Sequence, residues 1–97
     1  MPDPKFEMGR LVMTTNLQNT LMASDPEGWQ EELNLFVVQH LMGEWGEMSA
    51  EDVAANEEGL VNGDGLHSAY TTRLGIKIWI ITEWDRSITT CLLPEDY

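Results

Sequence analysis

A chain of 97 residues, 42% of them apolar, has material for one modest core and so for a single domain spanning 1–97, since chains of this size bury roughly 60–68% of their unfolded surface. Five Lys and Arg against seventeen Asp and Glu give a formal net charge of −12, which argues against direct binding to nucleic acid or an anionic membrane. No apolar run approaches the ~18 residues that span a bilayer, and one cysteine, Cys91, excludes an internal disulfide and fits a reducing cytoplasm.

The N-terminal MPDPKFEMGRL lacks the basic-then-apolar order of a signal peptide, so a cytoplasmic protein is expected. Residues 5–13 (KFEMGRLVM) fit a short first strand. In TTNLQNTLMAS, Thr15 or Asn16 offers an N-cap, and Leu17 and Leu21 fall one turn apart in a short helix. Asp25-Pro26 supplies a second N-cap with proline at the first helical position. Trp29, Leu33, Phe36, Val37, His40 and Leu41 then recur on one helical face, which should end near Gly43. In GEWG, Trp45 is an aromatic anchor for a tight connection.

Ser49-x-x-Asp52 is a capping-box variant opening a third helix over 50–61. Val53, Leu60 and Val61 should face inward, and Asn-Gly-Asp-Gly at 62–65 ends it. Beyond Gly65 the period falls to two. LHSAYTT, IKIWIIT and SITTCLL are β-rich, separated by RLG and EWDR turns, and Pro94 closes the last. The expectation is an α+β fold: two to three helices, packed on one face of a three-stranded antiparallel meander.

Charge is the outlier. Between Arg10 and Arg73 there is no Lys or Arg, while eleven Asp and Glu fall in that interval. Ordinary exposed helices interleave both signs. With no local cations to cancel it, the negative field sums and reaches about one Debye length, ~8 Å at physiological salt.

The C-terminal part carries a recognisable pattern. HLMGEWGEMSAEDVAANE, HSAY and IKIWIITEWDRSITTCLLPEDY, within residues 40–97, resemble an uncharacterised family of small bacterial proteins encoded on plasmids and integrative elements. Its pattern is H..GDWG, SAY and KIWIITEADRS.T..LLPEEY. Its members usually carry some Lys or Arg in the third helix, where this chain has none. The resemblance implies a setting on mobile DNA in bacteria.

Chemical motifs are weak. With Gly65 at the sixth position of a calcium loop, Asp64 and Asn62 fit, but Leu60 and Thr71 stand where the essential carboxylates belong. His40, His67 and Cys91 lack the paired spacing of a zinc site. His40 lies on an apolar helix face, as a core histidine would, and Cys91 sits in a β pattern as an inert thiol. Thr82-Glu83-Trp84-Asp85-Arg86 sets two carboxylates beside an arginine. A hairpin turn, with Asp85 on backbone amides and Arg86 paired to Glu83 or Asp85, explains it better. No enzyme, metal or cofactor is expected.

The acidic middle therefore points to a nucleic-acid mimic. The expected partner is a protein with a basic nucleic-acid groove, a CRISPR surveillance complex or a restriction enzyme, which would make this an anti-CRISPR or anti-restriction inhibitor. Its contact residues are Glu31, Glu32, Glu44, Glu47, Glu51, Asp52, Glu57 and Glu58, with Trp45 anchoring the helix junction or the partner. Read as helical, Glu47 to Glu51 spans ~6 Å and Glu51 to Glu58 ~10 Å, comparable with phosphates at ~3.4 Å of rise per nucleotide. The alternative is a non-catalytic accessory or regulatory protein of a mobile element that binds through its sheet and Trp79 and Trp84. Adaptation to high salt is a third explanation of the acidity.

Overall fold

The computed structural model describes residues 3–97. In chain order the elements are β1 (Arg10–Met13), α1 (Thr15–Ser24), α2 (Trp29–Leu41), α3 (Ala50–Asn62), β2 (Leu66–Thr71), β3 (Lys77–Thr82) and β4 (Ile88–Leu92), then a 3₁₀ turn at Pro94–Asp96. β2, β3 and β4 form the expected antiparallel meander. The sheet is mixed, because β1 joins it parallel to β4 and the order becomes β1-β4-β3-β2. Two parallel strands need a long crossover, and here everything from α1 to β3 lies between them.

Pleating sorts the side chains. Leu66, Ser68 and Tyr70 of β2, Ile78, Ile80 and Thr82 of β3, and Thr89 and Cys91 of β4 share one face through their cross-strand registers, and all are buried. α1 brings Leu17 and Leu21 to the core, and α2 brings Trp29, Leu33 and Val37. Each fully buried Leu or Ile stabilises the fold by about 1.5–3 kcal/mol relative to exposure. Phe36 stacks on Tyr70 with ring centroids 4.8 Å apart. On the other face Trp79, Ile81 and Thr90 are only half-buried.

Several boundaries differ from the sequence expectation. Only Arg10–Met13 of residues 5–13 is strand. The segment before it wraps over the helices: the Lys5 amide donates to Leu41 O (2.8 Å), and the Phe6 ring lies 5.2 Å from His40 and 6.2 Å from Trp45. The N-cap of α1 is Thr14, one residue earlier than expected, its hydroxyl accepting from the Leu17 amide (3.2 Å).

Asp25 does not cap a helix begun by Pro26. Its carboxylate accepts from the Gly28 amide (3.1 Å) and pairs with Arg73 (2.6 Å), which holds residues 26–28 in a turn and delays α2 to Trp29. In α3 the Ser49 hydroxyl accepts from the Asp52 amide (3.1 Å), and Gly63 ends the helix in the left-handed region (φ 79°). Val61 faces outward, 85% exposed, and the fully packed positions are Asn56 and Gly59.

A polar chain crosses the core. His40 Nδ1 lies 2.5 Å from Ser68 Oγ, His40 Nε2 2.9 Å from Thr82 Oγ1, and Thr82 Oγ1 2.7 Å from Thr89 Oγ1, whose proton goes to Met8 O at 2.7 Å. That last bond sets the rest. Thr89 has no second proton, so Thr82 donates to it. Nε2–H must then donate to Thr82, and Nδ1 accepts from Ser68. All four side chains are fully buried, and each bond offsets a desolvation penalty that would otherwise be uncompensated. Burial, with a smaller push from His67, lowers the His40 pKa to about 3. The ring is neutral throughout the physiological range.

Candidate acidic interface

α3 lies against β2, attached mainly by directional bonds. The Asn56 amide donates to His67 O (2.7 Å) and accepts from His67 N (3.0 Å), as a neighbouring strand would. Just upstream, Gly46 bridges to Ala69: the Ala69 amide donates to Trp45 O (3.1 Å) and the Glu47 amide to Ala69 O (2.7 Å). The outer edge of β2 is thereby sealed at two successive outward-facing residues. At the other end of the helix, the Arg86 guanidinium donates to Gly59 O (3.0 Å) and Asp64 O (2.6 Å), and also to Glu83 O and Trp84 O (both 3.2 Å).

The proposed contact residues therefore separate into two groups. Glu51, Asp52 and Glu58 are exposed on α3, and Glu51 to Glu58 spans ~10 Å of helix axis. Glu31 and Glu44 are exposed as well. Three others are engaged. Glu57 Oε2 accepts from the Trp45 indole N–H (3.0 Å), Glu32 accepts from the Arg73 amide (2.7 Å), and Glu47 lies 3.7 Å from Lys77. Glu47 also precedes the helix, so the ~6 Å helical spacing to Glu51 does not apply.

Of the two roles expected for Trp45, its position suits anchoring the helix junction and not meeting a partner. It is 4% exposed, packed against Phe6 and His40 with its N–H bound to Glu57. Between Glu31 and Glu44 the outward positions of α2 include Leu35, 62% exposed, and Val38, 40% exposed. The carboxylate row does not run continuously along that helix.

Folding brings distant cations near the acidic segment without neutralising α3. Among the described residues the ion pairs are Arg73–Asp25 and Lys77–Glu47. Arg86 reaches α3 but is committed to carbonyl oxygens, drawn by the negative end of the helix. It pairs with neither Glu83 nor Asp85, contrary to the sequence expectation. Asp85 instead holds the Ser87 amide (3.1 Å) and hydroxyl (2.6 Å), bonds that keep its carboxyl below the usual range. Arg86 takes a left-handed backbone (φ 61°), so the 83–87 segment is a structural clasp between the β3–β4 turn and α3.

The remaining chemical candidates are core residues or lack organisation. Cys91 is 1% exposed and burial pushes its thiol up to about 12. His67 is half-buried 4.6 Å from Trp79, its pKa lowered chiefly by burial. Among the described residues no group of three or more His, Cys, Asp or Glu is arranged to hold a metal, and no helix is long and apolar enough to cross a membrane. No family model, curated protein or solved structure matches the chain.

Sequence reasoning missed Asn56 and the tether role of Arg86. Asn56 had a readable signal, a poor helix former flanked by Ala54, Ala55 and two glutamates in mid-helix. Arg86 had none, because the acceptors that tie it to α3, Gly59 O and Asp64 O, lie more than twenty residues away in the chain.

Proposed function

We propose that this protein is a non-catalytic inhibitor that lays the exposed face of α3 into the Lys/Arg-lined nucleic-acid surface of a bacterial defence complex. The carboxylates stand in for backbone phosphates. A restriction enzyme or a CRISPR surveillance complex is the natural target for a protein carried on mobile DNA and acting in the host cytoplasm. The supporting observation is that Glu51, Asp52 and Glu58 remain exposed and without an ion-pair partner among the described residues, although folding delivers Arg86 to the same helix. An unneutralised acidic face steers association with a basic groove and rejects acidic partners.

The test is a tagged pull-down from bacterial lysate at low salt, eluted with rising salt and then with duplex DNA. A nucleic-acid-binding complex released by both is expected, and the triple reversal Glu51→Lys/Asp52→Lys/Glu58→Lys should no longer recover it. Glu57 is left intact because it holds Trp45. Undiminished recovery by the triple variant would overturn the reading.

A second reading rests on Trp84, 68% exposed, and on Trp79, half-buried on the open sheet face. In that case the protein is an accessory subunit or regulator that docks through the sheet. Trp84→Ala would then abolish recovery while the triple reversal spares it.

A further inference from the structure

The two edges of the sheet are treated differently. β2 is sealed by Asn56 and by the Trp45–Glu47 backbone, whereas β1 is the opposite edge and, among the described residues, no strand lies beyond it. The Arg10 amide donates to Ser87 O (2.9 Å) and the Thr14 amide to Cys91 O (3.0 Å), so these residues turn toward β4. Alternation along the strand then turns the N–H and C=O of Leu11 and Met13 outward. Beside this open edge runs a groove of about 470 Å³ between β1 and α2, lined by Leu11, Met13, Trp29, Leu33, Gln30 and Asn34 among others.

Its chemistry contrasts with the rest of the molecule. Among the described residues, none that lines the groove is charged. From Met8 to Ser24 the chain has no Asp or Glu, and Arg10 is its one charge. On a chain of net charge −12, this is a place where a like-charged molecule can approach closely.

The geometry points to a second copy of this chain as the occupant, with the two β1 strands pairing antiparallel across a twofold axis at Val12. In that register Leu11 lies opposite the partner's Met13 and exchanges both backbone hydrogen bonds with it, and Met13 does the same with the partner's Leu11. Val12 meets its own copy on the other face, and Arg10 meets the partner's Thr14. No like charges face each other. Leu11, 43% exposed, gains apolar neighbours, and closing the twofold leaves neither copy with a free β1 edge. α3 lies at the far edge of the sheet, so the acidic face stays open and the two surfaces act independently.

Sedimentation of the full chain over a concentration series, at low and at molar salt, tests this pairing. Dimer is expected to increase with concentration and with salt, because screening removes the repulsion between two acidic chains. A mimic contact with a basic groove responds to salt in the opposite sense, so failure of one reading is distinguishable from failure of the other. Leu11→Lys and Leu11→Pro should both lose the dimer while keeping the wild-type far-UV circular dichroism. The proline is tolerated because the Leu11 N–H faces outward on an edge strand.

Register is read by cross-linking. Val12→Cys should form an intermolecular disulfide under mild oxidation, since facing non-hydrogen-bonded residues lie about 4.5 Å apart at Cα, within the range of about 4.4–6.8 Å for a disulfide. Arg10→Cys should not, since the two copies of residue 10 would lie about 13 Å apart along the ladder. A monomer at every concentration and salt, or cross-linking at Arg10→Cys as fast as at Val12→Cys, would overturn the pairing.

Discussion

α2 and α3 are both thirteen residues long, lack Lys and Arg, and carry acidic residues in the first turn. Their attachments differ. α2 buries Trp29, Leu33, Val37 and His40 in the core, whereas α3 buries only Asn56 and Gly59. An apolar stripe fixes α2 through area, and its sequence is constrained along that whole face. α3 hangs on discrete bonds, from Asn56 to His67, Glu57 to Trp45, and Gly59 to Arg86. A helix held this way leaves most of its surface free, and in this chain that surface became acidic.

The largest break in the comparison comes from the core side. Leu33→Ala should cost about 2–5 kcal/mol through lost burial and a cavity, read as a lower midpoint in urea for the whole domain. Asn56→Ala should cost about 1–3 kcal/mol, since it orphans both the N–H and the C=O of His67. Its signature is local. Hydrogen exchange should accelerate in α3 and at the His67 amide while α2 stays protected. Equal acceleration in both helices would mean that α3 is held by area after all.

Acid distinguishes the helices next. His40 is the polar core residue of α2, and its folded pKa of about 3 lies below the ordinary 6.5. The unfolded chain therefore binds a proton that the folded chain refuses. Stability is fully present above about pH 6.5 and falls with acid by up to about 1.4 kcal/mol per pH unit until the folded pKa near 3 is passed. His67, lowered too, adds with the same sign. Denaturant titrations at pH 7 and 5.5 should show the loss, and His40→Gln should flatten most of the slope.

How legible this was in the sequence follows from the same contrast. The stripe of α2, the meander and the third helix could be read because apolar spacing is a local, periodic signal. The parallel placement of β1 could not, because nothing within RLVM encodes which edge it joins. Asp25-Pro26 misled because an Asp that caps and an Asp that pairs with Arg73, 48 residues away, look alike in sequence. At the acidic face the residue types were visible, but their engagement was not. Glu57, Glu32 and Glu47 were indistinguishable from Glu51 until their partners were known. Trp45 had the composition of a binding anchor, and its burial depended on Phe6 wrapping back from the N-terminal segment.

The smallest effect sharpens the comparison most. Val61 lies in the last turn of α3, 85% exposed, and that turn holds no basic residue. A lysine there meets the negative end of the helix and falls four residues after Glu57 and three after Glu58, the favourable order for such pairs. No core packing is lost, so Val61→Lys should stabilise the protein by about 0.3–1 kcal/mol at low salt, and the gain should fade as salt screens it. If stability alone shaped α3, this is an improvement left unused. Under the mimic reading the same lysine interrupts the negative face, so the variant should melt higher and bind its target more weakly. A variant that melts higher and binds unchanged would separate the acidity of α3 from its function.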